Sequence, residues 1–255
     1  MKTLFIGQYC IKLDKTDSTN SYLTSLLSEK KLPEGAIALT HDQKKGRGQR
    51  GTIWESEAGK NLTLSIFLKP IFLMPDEQFV LSKAVALGVS EFIVGCLSPF
   101  GGGEGVDVSI KWPNDIYIGN KKVAGILIEN SVSGNSLSQS IVGTGINVNQ
   151  EKFSAELPNP TSLKLIVGKE FNLEDCFEQL CFCIEKRYLQ LRSHPKEIDS
   201  DYLKNLYRFE KWADYNYKGE PIKAKITGIT KIGKLILEKE NRENLECEMK
   251  DMWFC

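Results

Sequence analysis

The stretch KKGRGQRGTIW, Lys44 to Trp54, gathers four cationic side chains and three glycines, with no acidic residue before Glu55. Like charges this close repel, and a bound anion would relieve the repulsion. Arg47 and Arg50 offer planar, permanently charged forks suited to phosphate or carboxylate. Gly46, Gly48 and Gly51 free the backbone to take positive φ and to approach a ligand. A solvated basic turn has the same composition, and the G-K-[ST] ending of a P-loop is missing. In KWPNDIYI, Lys111 to Ile118, Pro113 holds Trp112 extended and Asn114 and Asp115 follow at a strand end. A carboxylate there suits Mg²⁺, and Asn-Asp after Pro equally suits a plain turn. In KKVAGILIE, strand alternation puts Lys122, Ala124 and Ile126 on one face and Val123, Gly125 and Leu127 on the other. Gly125 either admits a close neighbour or marks a bulge. GTGINVN has the same ambiguity at Gly143 and Gly145, with Asn147 behind them.

These segments need a scaffold, and the pattern around them mixes helices and strands. Tyr22, Leu23, Leu26 and Leu27 repeat at helical spacing behind the caps Asp17 and Ser18. AIALTHD reads as a strand, and NLTLSIFL as a half-buried strand with Leu62, Leu64, Ile66 and Leu68 on its inner face. PDEQFVLSKAVALGVSEFIVGCL is a long helix opened by Pro75 and Asp76. Gly101–Gly105 reads as a loop, VDVSIKW as a strand, IYIGNKKVAGILIE as a hairpin turning at Gly119-Asn120, and SIVGTGINVN as a further strand. LEDCFEQLCFCIEKRYLQL and SDYLKNLYRF follow as helices. After about Trp212 only short strands between Gly and Asn turns remain, which predicts a small β-barrel appended to a larger unit.

Composition narrows the class. A chain of 255 residues suits one large domain, or one plus a small one. Lys plus Arg equal Asp plus Glu at 33 each, so the basic loop is local and not part of a general nucleic-acid surface. No apolar run is expected to reach the roughly 20 residues that span a membrane, and the N-terminus lacks a signal-peptide core. Seven cysteines without C-x-x-C spacing read as reduced thiols, and with two histidines they give no zinc site. A cytoplasmic protein is expected.

Each segment alone has an ordinary explanation, but their order does not. DSTN at Asp17–Asn20, Q-x-x-G-R-G from Gln43, KWPND at Lys111–Asp115, K-x-A-G-I-L-x-E from Lys122 and G-x-G-I-N from Gly143 resemble the biotin protein ligase family. The resemblance runs from about Asp14 to Asn149 and more weakly into the C-terminal part. It implies an α+β fold: a mixed sheet with flanking helices over 1–211, then a small Src-homology-3-like barrel over 212–255. It implies joining of biotin to ATP, giving biotinyl-5′-AMP, and transfer of biotin to a lysine of a biotin carboxyl carrier domain. Mg²⁺ would accompany ATP.

Residue by residue, the resemblance assigns Ser18, Thr19, Gln43, Gly46, Gly48, Gly125 and Leu127 to biotin. It assigns Arg47 and Lys122 to the reacting carboxylate and α-phosphate. Arg50, Trp54, Lys111, Asn114 and Asn147 would serve the nucleotide, and Asp115 the metal. Some members carry Arg where this chain has Gln49, which cannot supply that charge to hold the adenylate. The match begins by Asp17, so a ligase without a DNA-binding repressor domain is expected, as a monomer or homodimer with no DNA or membrane partner. The rivals are a lipoate or octanoate ligase or transferase on the same fold, and a non-catalytic nucleotide-binding module. Basic glycine loop and KWPND speak against the first; balanced charge speaks against the second.

Overall fold

The computed structural model describes residues 2–98 and 107–254, apart from the side chain of Arg50. The glycine-rich stretch 101–105 and Cys255 lie outside them. Seven strands form the main sheet in the order β1 (Cys10–Leu13), β2 (Ile37–Thr40), β5 (Leu62–Leu68), β9 (Ser136–Ile146), β8 (Lys121–Ser133), β7 (Asp115–Ile118) and β6 (Val108–Lys111). Only β1 and β2 run parallel, so the sheet is mixed, as expected. The basic stretch forms a separate two-stranded ladder, β3 (Gly46–Arg47) with β4 (Ile53–Trp54).

One face of the sheet is covered by α2 (Gln78–Leu97), α4 (Leu173–Ser193) and the short α3 (Leu163–Val167), with α5 (Pro195–Lys204) beside α2 and α4. A Cβ on Gly88 would stand 2.8 Å from Ile184 Cα, so glycine lets α2 and α4 pack backbone to backbone. By length and composition Pro75–Leu97 is able to cross a membrane, contrary to the expectation that no segment approaches this. Its most apolar window is 72% buried inside the protein, because α4, α5 and the sheet surround it.

The opposite face carries α1 (Thr19–Glu29) over β2, β5 and β9. This corrects the reading of Leu62–Leu68 as half-buried: all seven residues are buried. Leu62, Leu64, Ile66 and Leu68 join the large core, while Phe67 packs with Leu23, Leu32, Ala36, Ala38 and Ile141 beneath α1. A polar letter in a strand does not reveal a helix lying on it.

From Trp212 the chain builds a second, antiparallel sheet in the order β13 (Asn244–Cys247), β12 (Leu235–Lys239), β11 (Glu220–Ile229), β10 (Trp212–Tyr217) and β14 (Met252–Phe254). This is the small Src-homology-3-like unit. Its interior, with Tyr215, Ile226, Leu235 and Leu237, belongs to the same connected cluster as the main core. Gly233 at a left-handed turn (φ 91°) fits against the Phe79 ring and accepts a hydrogen bond from Trp112 Nε1 at 2.9 Å. The six described cysteines are free thiols.

The N-terminal segment is fastened by one buried carboxylate. Glu185 of α4 accepts backbone N–H groups from Leu4, Phe5 and Ile6 at 2.6, 2.8 and 2.8 Å. Glu185→Ala leaves these donors without an acceptor and is expected to remove about 2–4 kcal/mol in urea unfolding. A loss below about 0.5 kcal/mol, the range of ordinary surface substitutions, would show that the segment contributes nothing.

Candidate active site

Strand register decides which side chains meet. Lys111 pairs Asp115, Asp115 pairs Gly125, Gly125 pairs Gly145 and Gly145 pairs Thr63, so these positions share one face. Between β7 and β8 the register slips, because Ile116 pairs Ala124 while Tyr117 pairs Lys122. Val123 is the extra residue of a bulge. Strict alternation is thereby corrected: Lys122 lies on the face of Gly125, with its Cε 3.5 Å from where a Gly125 Cβ would sit. Val123 and Ala124 both turn into the core. Lys122 Nζ reaches Asp115 Oδ1 at 2.8 Å, an ion pair about a quarter exposed.

This face floors a cleft of 530 Å³ bounded by α1, the basic ladder and the second sheet. One end is polar and neutral. Ser18 is the N-cap of α1, its hydroxyl accepting from Ser21 N–H. Gln43 Oε1 accepts from the Thr19 N–H at 2.9 Å and lies 3.3 Å from its hydroxyl. Buried Ser65 donates to Asn20 Oδ1 at 2.5 Å, and Asn20 Nδ2 donates to Leu127 O and to Glu129 Oε2.

The basic stretch folds differently from the open loop its glycines suggest. Of the three, only Gly51 has positive φ. Gly46 and Gly48 are needed for close packing within the ladder: a Cβ at Gly46 would lie 2.2 Å from Trp54 O, and one at Gly48 2.3 Å from Thr52 Oγ1. The cations are relieved by the protein's own carboxylates. Lys44 pairs Asp42, Lys45 pairs Asp17 and Arg47 pairs Glu129, at 2.7, 2.9 and 2.8 Å. Arg47 lines the cleft; Lys44 and Lys45 do not, and the Arg50 side chain lies outside the described residues.

Trp54 is expected beside a nucleotide; its indole rests on the bare backbone of Gly145 and Gly125. A Cβ on Gly145 would be 2.3 Å from Trp54 Cε2. Its Nε1 is buried with no acceptor among the described residues, and Lys122 Nζ stands 5.7 Å from the ring. Lys111 is held between the rings of Tyr117 and Phe254, at 4.8 and 4.7 Å, and donates to the Tyr117 hydroxyl at 3.2 Å. Burial lowers its pKa; Asp115 opposes this, and Arg208 and Lys122 reinforce it. Burial first, then Asp115, pushes Tyr117 up to about 12.

Two residues expected at the nucleotide do other work here. Asn114 lines the cleft, but its side-chain Nδ2 donates to Ile126 O while its backbone carbonyl accepts from Ile126 N–H, pinning the turn after the cis Trp112–Pro113 bond. Asn147 is buried away from the cleft lining, donating to Thr161 O at 3.0 Å. Sequence reasoning missed Met249, Met252, Trp253 and Phe254, which form the far wall. No local signal marks them, since only tertiary packing brings the second sheet there. Among the described residues no group of three or more His, Cys, Asp or Glu could hold a metal ion. Among the described residues Asp115 is the carboxylate that lines the cleft, near Lys111 and Lys122, which fits an ion carried in mainly by phosphate oxygens and water.

A model of the biotin/lipoate A/B protein ligase family matches residues 13–147. The bifunctional ligase/repressor BirA of Bacillus subtilis (strain 168) is 34% identical over 200 residues, 76% of this chain and 58% of that protein. The biotin–[acetyl-CoA-carboxylase] ligase of Paracoccus denitrificans is 36% identical over 141 residues, 53% of each chain. The chain thus spans just over half the length of these curated relatives. The solved biotin protein ligase from Aquifex aeolicus in complex with biotin and ATP matches with a TM-score of 0.77 at 25% identity, covering 97% of this chain and 99% of that one.

The seat of Trp54 makes its own prediction. Gly145→Ala puts a methyl where the indole lies and is expected to expel it, red-shifting tryptophan emission and raising acrylamide quenching. The same change in a Trp54→Phe background is expected to alter neither. Equal quenching of wild type and Gly145→Ala would mean that the indole does not occupy this seat in solution.

Proposed function

The chain belongs to the biotin/lipoate A/B protein ligase family, and on that premise we propose that it is a biotin protein ligase. It joins biotin to ATP and then passes the biotinyl group to a lysine of a biotin carboxyl carrier domain. One observation carries the reading: five separate sequence segments meet in a cleft that combines neutral polar side chains (Ser18, Thr19, Gln43) with the cations Arg47, Lys111 and Lys122. Ser18, Thr19 and Gln43 suit a ureido ring, which offers both donors and an acceptor. A lipoyl or octanoyl chain calls for an apolar tube instead. The names of the Bacillus, Paracoccus and Aquifex relatives, ligases of biotin or BirA, support the same choice.

In the first step a carboxylate oxygen of biotin attacks the α-phosphorus of ATP, and the bond to pyrophosphate breaks. Arg47 and Lys122 bring positive charge to the carboxylate and α-phosphate, where negative charge builds up. Asp115 fixes the Lys122 ammonium by their ion pair. Mg²⁺ bound with ATP would neutralise the departing pyrophosphate, with Asp115 as the carboxylate lining the cleft among the described residues. Lys111, desolvated between two rings, adds a phosphate-binding cation. Gly48, Gly125 and Leu127 shape the biotin end, Gly46 supports it from within the ladder, and Trp54 covers the joined ligands once displaced from its glycine seat. In the second step the neutral amine of the carrier lysine attacks the acyl carbon, and AMP leaves.

The catalytic unit spans 1–211 and the second unit 212–255, the latter walling the nucleotide end. Use of ATP and six free thiols support a cytoplasmic location.

Biotin-dependent exchange of pyrophosphate into ATP tests the reading. Exchange with biotin and not with lipoate is expected, and Lys122→Ala is expected to lower it about 10²-fold. Exchange with lipoate alone, or none from folded protein, would overturn the assignment.

A further inference from the structure

Glu129 closes the K-x-A-G-I-L-x-E segment but is not among the residues lining the cleft. Its Oε2 accepts from Arg47 Nη2 at 2.8 Å and from Asn20 Nδ2 at 2.7 Å. Asn20 is itself oriented, because its Oδ1 accepts from buried Ser65 and a Cβ on Gly143 would lie 2.3 Å from that oxygen. Glu129 therefore has one fixed donor below it and one cation reaching to it from the ladder. Arg47 and Glu129 are partly exposed, at 44% and 38%.

We propose that Glu129 is a positioning residue acting as a resident carboxylate, holding Arg47 at the cleft until the carboxylate of biotin replaces it. The proposal rests on the ligase reading. The exchange swaps like for like: one Arg–carboxylate pair opens and another forms, and Glu129 keeps its bond from Asn20, so no polar group is stranded. A partly exposed ion pair is worth only about two- to fivefold in an equilibrium constant, which makes it an easily displaced partner. A neutral ligand gains nothing from the exchange.

Calorimetric binding of biotin and of neutral biotinamide to wild type, Glu129→Gln, Arg47→Gln and the double variant tests this. Gln keeps the length of Glu129 and can still accept from Asn20, but it releases Arg47. Glu129→Gln is expected to bind biotin about two- to fivefold tighter with biotinamide unchanged. In the Arg47→Gln background it is expected to change neither. Glu129→Asp, too short to span to Arg47, is expected to move biotin affinity in the same direction and serves if Glu129→Gln does not fold. Unchanged or weaker biotin binding, or equal shifts for both ligands as from a merely structural effect on α1, would overturn the proposal while leaving the ligase reading intact. Wild type that binds no biotin would overturn both.

Discussion

Gly125 and Gly145 face each other across two neighbouring strands, and Gly143 stands beside Leu127 one step further on. Together they leave a patch of sheet without side chains, and the candidate site is built around that patch. Asn20 comes down onto Gly143, and Trp54 onto Gly125 and Gly145. Side chains at these positions would lift α1 and the basic ladder off the sheet. The cleft exists because neighbouring strands omit their side chains at registered positions while the other face stays packed with Leu64, Ile126, Val142 and Ile146.

The charges follow a second rule: two cations of the site rest on carboxylates of neighbouring elements, one distant in sequence and one across a hairpin. Arg47 rests on Glu129 and Lys122 on Asp115. Lys111 lies between two aromatic rings, and its burial there lowers its pKa against the opposing pull of Asp115. Partly exposed pairs of this kind contribute little to stability. Their effect is on geometry, holding long side chains near where anionic substrates would need them.

Much of this was legible in the sequence. Helices α1, α2 and α4, the hairpin at Gly119-Asn120 and the start of the second sheet follow local signals: caps, periodicity and turn residues. Helix α3 lies outside that reading, and α5 runs Pro195–Lys204 where SDYLKNLYRF pointed to 200–209. The segments that converge on the cleft were legible as letters, and all five contribute to it. What local pattern could not give was layering. Leu62–Leu68 looked half-buried because nothing in it announces α1 above. Gly46 and Gly48 looked like freedom, and they are close packing within a ladder. Asn114 and Asn147 looked like ligands; in the fold, backbone carbonyls occupy their amides. The wall formed by Met252–Phe254 depends on where a separate sheet docks, and that is set by contacts such as Gly233 against Phe79 and Trp112.

The bulge at Val123 has a consequence for the portability of the motif. Lys122 and Gly125 face the same way although they stand three positions apart, because one position between them falls out of step. The backbone on the other side of Lys122 is clasped by Asn159 and Thr161, which keeps the irregularity in place. The letters K-x-A-G therefore do not carry the site by themselves. Transplanted onto a straight strand of another scaffold, they would turn the lysine into the core or the glycine away from the cleft. The unit that must be moved, by a designer or by recombination, is the kinked strand together with the loop that clasps it.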